Sequence, residues 1–187
     1  MAPHGWPNVG ALDADIYLFS AYKTWGPHQG IMTVKRDLAL RLPNQGHFFN
    51  AETLTKRLTP AGPDHATIAA SAGMADYLEA VHGHHFGFGA KGTEVTESLQ
   101  NLFASHEQAL LQPLLDHVSS KNSVRVLGPT SAATRAATLA LACNRPGAAL
   151  AAALADQGIM AGGGHFYAVR ALKALGIDPE HGVLRLS

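Results

Sequence analysis

The sequence lacks an excess of charge of either sign, carries almost no cysteine, and contains no long apolar run. Fourteen Lys and Arg residues are balanced by fourteen Asp and Glu residues. No field of one sign is therefore available to attract a polyanion, and neither nucleic acid nor an anionic membrane is expected as a partner. Cys143 is the only cysteine, which excludes an internal disulfide framework and any Cys-x-x-Cys metal site and fits a reducing, cytoplasmic setting. No stretch approaches the ~20 apolar residues of a membrane span, and the N-terminus has no basic region followed by an apolar one. Neither export nor membrane insertion is expected.

Apolar residues nevertheless make up 47% of the 187 residues, enough for a real core. Asp15 to Ser20 is a short run rich in aromatic and branched residues and reads as a buried strand; Gly30 to Lys35 reads as a second, with Ala21 to Gln29 a loop pinned between them. Beyond the turn-rich Thr59–Asp64, helical spacing predicts one helix over His65–Val81, with Asp64 as its cap. Four glycines in Gly83–Gly92 interrupt the pattern, and a longer helix is expected over Glu94–His117. The remainder reads as strand (Val124–Leu127), strand (Ala136–Cys143), helix (Gly147–Gln157), strand (Ile159–Ala161), glycine loop, helix (Tyr167–Leu175) and strand (Val183–Ser187). That order implies a small sheet with helices on one face. The last strand runs to the final residue and the first arrives almost at once, so the chain is expected to be part of a longer protein.

The segment richest in chemistry is Asp15-Ile-Tyr-Leu-Phe-Ser20-Ala-Tyr-Lys23-Thr-Trp-Gly26-Pro27-His-Gln-Gly30. A lysine just after a buried strand, in a loop stiffened by glycine and proline, stands where burial favours a neutral amine, and a neutral amine can form a Schiff base. Asp15, Ser20, Lys23, Gly26, Pro27 and Gly30 together resemble the lysine motif of class V aminotransferases and cysteine desulfurases, which are fold-type I enzymes dependent on pyridoxal 5'-phosphate. The resemblance implies an α/β chain, with residues 1–75 the end of the cofactor-binding large domain and residues 76–187 a small C-terminal α+β domain. It also implies that Lys23 forms the internal aldimine and shuttles protons, and that Ser20 contacts the cofactor phosphate. Tyr22 stands where desulfurases have a histidine that contacts the same phosphate.

Weaker matches follow in family order. Ala2-Pro3-His4 is similar to the segment before the lysine strand. Thr59-Pro60-Ala61-Gly62 is similar to the turn that reaches a phosphate across a dimer interface, with Gly62 the contact; Pro63, where the family often has threonine, offers neither hydroxyl nor N–H. Val183–Ser187 resembles the strand whose arginine, here Arg185, grips the substrate α-carboxylate, a task suited to a guanidinium fork. Gly164-His165-Phe166-Tyr167 resembles the desulfurase loop that carries the catalytic cysteine, with Tyr167 in its place. Persulfide chemistry needs a thiolate there. The aspartate that pairs with the pyridine nitrogen precedes Ala2 in the family. The implied activity is that of an amino-acid-converting enzyme, a homodimer when whole, and the isolated chain is expected to be inactive.

Other readings compete at each point. The chain could be a non-catalytic binding or assembly module, or its parent a cysteine or selenocysteine lyase that uses an external thiol. Ser20-Ala-Tyr-Lys23 also fits the Ser-x-x-Lys of penicillin-binding enzymes, but Gly26-Pro27 opposes the helix those need. His82, His84 and His85 could suggest a metal, yet they read better as a solvated helix end, and no metal site is expected. Gly162-Gly163-Gly164 reads as a tight turn and Cys143 as a buried hydrophobe. Arg185, placed in an apolar strand, calls for a buried acceptor, either a substrate carboxylate or a structural one.

Overall fold

A computed structural model describes residues 5–60 and 62–187; Ala2-Pro3-His4 and Ala61 lie outside the described residues. The chain forms two compact units, divided between Asn101 and Leu102.

In the first unit, β1 (Ile16–Ser20) and β2 (Gly30–Val34) form an antiparallel hairpin in which Ile16 pairs with Val34 and Ser20 with Gly30. Its open end is closed by Lys35, whose ammonium meets the carboxylates of Asp13 and Asp15. The expected burial of β1 is only partial: Leu18 is 68% exposed, and Met32 across from it is also exposed. These two residues share one face of a two-stranded ribbon, which cannot cover both of its own faces. Between the strands lies a 3₁₀ turn, Ala21–Thr24.

Three short elements were not apparent from apolar spacing: α1 (Arg36–Arg41), a 3₁₀ turn at Phe48–Asn50, and α2 (Leu54–Arg57). Each is too short to show a helical period. The single helix expected over His65–Val81 is two, α3 (His65–Ala70) and α4 (Gly73–Phe86). Asp64 caps α3 by accepting the Thr67 N–H at 3.0 Å. The break follows from Ser71, whose hydroxyl donates to the Thr67 carbonyl one turn back at 3.2 Å while the backbone tightens to i→i+3 bonds. His82 is buried, with Nδ1 3.2 Å from the Gly87 carbonyl, and is therefore not part of a solvated helix end.

The helix α5 (Thr93–Ser119) continues across the division. The second unit is a four-stranded antiparallel sheet in the order β3 (Val124–Leu127), β4 (Leu139–Cys143), β6 (Val183–Leu186), β5 (Gly162–Gly164), with α6 (Gly147–Ala155) and α7 (Val169–Ala174) in the connections. Because side chains alternate along a strand, β4 builds two cores. Leu139 and Leu141 pack with Leu111 and Leu115 of α5 and with Leu150 and Leu154 of α6. Ala140 and Ala142 face Leu172 of α7 and Ile177. Helices thus cover both faces of the sheet, where one face was expected.

The glycine triplet is a strand, displaced from the expected Ile159–Ala161, and each glycine clears a particular neighbour. A Cβ on Gly163 would stand 2.3 Å from the Gly147 backbone at the start of α6, and one on Gly162 would stand 3.0 Å from the Phe166 ring. Gly164 has φ 137°, a region closed to L side chains. Replacing Gly163 by Ala is therefore expected to cost about 1–3 kcal/mol through overpacking. Gly73→Ala, whose Cβ would meet nothing within 4 Å, should be neutral or stabilising by up to about 1 kcal/mol. Urea unfolding followed by circular dichroism distinguishes the two, and equal midpoints would contradict the close contact between β5 and α6.

Candidate functional site

The turn between β1 and β2 is built by backbone bonds that converge on Ala21. Its N–H donates to the Gln29 carbonyl at 2.7 Å, and its carbonyl accepts the Gly26 N–H at 2.9 Å. Ala21 opens the 3₁₀ turn and is fully buried, as is Thr24 at its end, while Tyr22 and Lys23 between them are exposed. The Pro27 carbonyl accepts the Gln29 N–H at 2.7 Å, tightening the return into β2. Trp25 closes the 3₁₀ turn in the left-handed region, at φ 60° and ψ 17°, which costs a bulky residue roughly 1–2 kcal/mol.

This turn and the hairpin enclose a cleft of about 540 Å³. Tyr17, Ser20, Lys23 and Thr24 are its polar residues, and Leu18, Phe19, Ile31 and Met32 are among its walls. Lys23 itself is exposed, so this chain does not provide the burial expected of it. Its Nζ lies 5.7 Å from the centre of the Tyr22 ring, a cation–π contact. Tyr22 in turn stacks on His28, with ring centres 4.7 Å apart and planes 6° from parallel. Thr24 is 2% exposed, and its hydroxyl has no partner among the described residues. A buried hydroxyl left unpaired costs about 1–3 kcal/mol, and nothing in the sequence singled this residue out.

The remaining expected site residues lie elsewhere. Gly62 lines a separate depression with Lys56, His47 and His65 in the first unit. Arg185 is in the second unit, exposed, with its guanidinium carbon 4.2 Å from the centre of the Phe166 ring. Among the described residues its contact is this aromatic face, not the buried acceptor that was expected. The pairing of Gly162 with Arg185 explains the stack, because any side chain at residue 162 would occupy the space of the ring. Tyr167 is 99% exposed and follows Phe166 in the left-handed region, at φ 62° and 48° respectively. Its N–H donates to His165 Nδ1 at 3.2 Å. Among the described residues no group of three or more His, Cys, Asp or Glu could hold a metal ion. None of their helices is long and apolar enough to cross a membrane.

The family model for class V aminotransferases matches residues 1–187. The chain belongs to that family. Among curated relatives of this class V chain, an aminotransferase-like protein, FGM3, from Gibberella zeae is 29% identical across the whole chain and 44% of its own length. A probable cysteine desulfurase from Pseudomonas putida is 28% identical over 98% of the chain and 43% of its own length. In shape the chain is similar to the apo cysteine desulfurase of Thermococcus onnurineus, with a TM-score of 0.66 and 20% identity over 98% of this chain and 44% of that one. It is also similar to the cysteine desulfurase CsdA of Escherichia coli, with a TM-score of 0.67 and 20% identity over 96% of this chain and 42% of that one. The fold is therefore the mixed α/β fold of the corresponding part of a fold-type I enzyme, and the chain spans less than half the length of the relatives it matches.

The one thiol of this class V chain is poorly placed for nucleophilic work. Cys143 ends β4 against the core, and burial raises its pKa above the usual thiol value. The protonated form is therefore favoured at every pH below that raised value, and the reactive thiolate appears only as pH climbs through it. Carbamidomethylation of the native chain at pH 8, followed by mass, should run several-fold slower at Cys143 than in an unstructured cysteine peptide. A rate equal to the peptide's would show a thiolate that the fold does not predict.

Proposed function

We propose that this chain is the lysine-bearing part of a longer pyridoxal-phosphate-dependent enzyme acting on an amino acid, with Lys23 as the covalent anchor of the cofactor. The observation that carries this reading is the convergence of a primary amine and a hydroxyl, those of Lys23 and Ser20, on one apolar-walled cleft of a class V chain. The donor set fits the group: an amine for the aldehyde, and the Ser20 hydroxyl at the start of the turn for a phosphate oxygen. When bound, pyridoxal phosphate supplies the electron sink that weakens bonds at a substrate's α-carbon.

The chain's own residues divide the remaining work. Lys23 Nζ takes and returns the proton at the substrate α-carbon. Ser20 and Tyr22 orient the phosphate, with Gly62 approaching it from a second subunit of a homodimer. Arg185 receives the substrate carboxylate, its guanidinium plane kept in one orientation by the Phe166 face while its N–H edge stays open for bidentate bonding. Residues 1–75 belong to the cofactor-binding domain and residues 76–187 to the small domain in this reading, a division by function that differs from the compactness boundary at Asn101.

The relatives from Pseudomonas putida and Thermococcus onnurineus are described as cysteine desulfurases. Tyr167, in the loop that resembles the one carrying the desulfurase cysteine, cannot carry a persulfide, so the reaction proposed for this protein is amino acid conversion without a protein-bound sulfur. The polar residues of the cleft include no carboxylate, and a pyridine nitrogen without an acidic partner makes a weaker electron sink. For that reason the isolated chain is proposed to hold the cofactor without turning over substrate.

Titration with pyridoxal phosphate under absorbance detection tests the anchor. An imine band is expected that disappears in Lys23→Ala and persists in Cys143→Ser. Identical spectra for the parent and Lys23→Ala would remove Lys23 from the site.

A further inference from the structure

The turn that carries Lys23 is gripped from outside by contacts for which the proposed chemistry has no use. Trp25, two residues after Lys23, holds a left-handed backbone that a bulky residue keeps only where its surroundings enforce it. Its ring centre lies 5.2 Å from that of Tyr77 on α4 and 6.5 Å from that of Trp6. Next to it, Gly26 approaches α4 so closely that a Cβ would stand 2.4 Å from Met74 Sδ. At the far end of the turn, the Ser71 hydroxyl donates to Gln29 Oε1 at 3.0 Å. Inside the turn, the N–H groups of Trp25 and Gly26 both point to the Ala21 carbonyl.

These contacts lie on the α3–α4 side of the turn, whereas Ser20, Lys23 and Thr24 line the cleft. One side is thus used for holding and the other is left for binding. An exposed lysine has many rotamers, so a mobile backbone beneath it would spread its amine over a wide volume and weaken any directed condensation. We propose that Trp25 and Tyr77 are positioning residues: their ring contact locks the Ser20–Gly30 turn onto α4 and fixes the point from which Lys23 reaches. The role assigned to the amine rests on Lys23 being the cofactor lysine, while the lock itself can be measured without any cofactor.

The test uses the full 187-residue chain, with Tyr77→Ala, Tyr77→Phe and Trp25→Gly. Tyr77 is half-exposed, so truncating it spares the buried core. Glycine at residue 25 accepts the left-handed backbone without strain, which separates the contribution of the ring from that of the backbone. Hydrogen exchange at the Ala21 and Gly26 amides should accelerate about tenfold in Tyr77→Ala and Trp25→Gly, stay unchanged in Tyr77→Phe, and remain unchanged at the β3 and β4 amides in all three. Incubation with pyridoxal phosphate, borohydride reduction and peptide mapping then gives the share of label on Lys23 against the five other lysines. That share should fall in the first two variants and hold in Tyr77→Phe.

Unchanged exchange at Ala21 and Gly26 overturns the lock. Faster exchange with an undiminished Lys23 share overturns the positioning role. Faster exchange in a protein whose Lys23 is never labelled, even in the parent, upholds the lock and defeats the cofactor reading instead.

Discussion

Where Lys23 stands is decided by two hydrogen bonds at a residue with no chemistry of its own. Ala21 gives its N–H to Gln29 and takes the Gly26 N–H on its carbonyl, and it is small enough to be wholly buried at the base of the turn. With those bonds made, the backbone between Ser20 and Gly30 has little freedom left, and the last hairpin pair, Ser20 with Gly30, borders the cleft. The motif is therefore structural before it is chemical. Asp15 meets Lys35 at the open end of the ribbon, Gly26 permits contact with Met74, and Pro27 tightens the return to β2. Only Ser20 and Lys23 among the motif's polar side chains face the cleft.

In the second unit the comparable constraint is close backbone approach. Gly163 lies against Gly147, and Gly182 lies against Gly164, where a Cβ would come within 2.7 Å of the Gly164 Cα. Such distances exclude side chains, and the backbone surface of β5 and α6 joins without filler. Loss of side-chain volume at β5 is offset by the alternating apolar residues of β4 and β6, which bury Leu139, Leu141, Val183 and Leu184. A further glycine of β5 determines how Arg185 is held, because its ring partner Phe166 occupies the space that Gly162 leaves open.

How much of this was legible in the sequence depended on whether a feature is local. The hairpin around Lys23, the cap at Asp64 and the strands Val124–Leu127 and Val183–Leu186 follow from short patterns, and the family follows from residues at fixed spacings. Two kinds of feature escaped. The glycine triplet read as a turn because glycine frees the backbone, and its opposite use, an extended strand cleared for a neighbouring helix, depends on a contact between residues 147 and 163 that no local pattern encodes. The expected single helix over His65–Val81 failed at Ser71, whose hydroxyl competes for a helical carbonyl; apolar spacing does not register a side-chain hydrogen bond. Among site residues, Thr24 and Phe166 were invisible for the same reason: one matters by being buried without a partner, the other by lying under a distant arginine.

The exposure of Lys23 bears on what the chain can do alone. An amine in water must shed its hydration before it attacks a carbonyl. The cleft supplies apolar walls from the hairpin, yet Leu18 and Met32 remain exposed beside it, so water reaches the amine freely. A second wall over the same cleft would dry the amine and cover the exposed residues in one step, and both effects favour covalent capture of an aldehyde. On the proposed reading, capture and catalysis make unequal demands: a fixed amine beside the Ser20 hydroxyl serves the first, while the second needs exclusion of water and an acid near the pyridine nitrogen, neither of which the cleft lining includes.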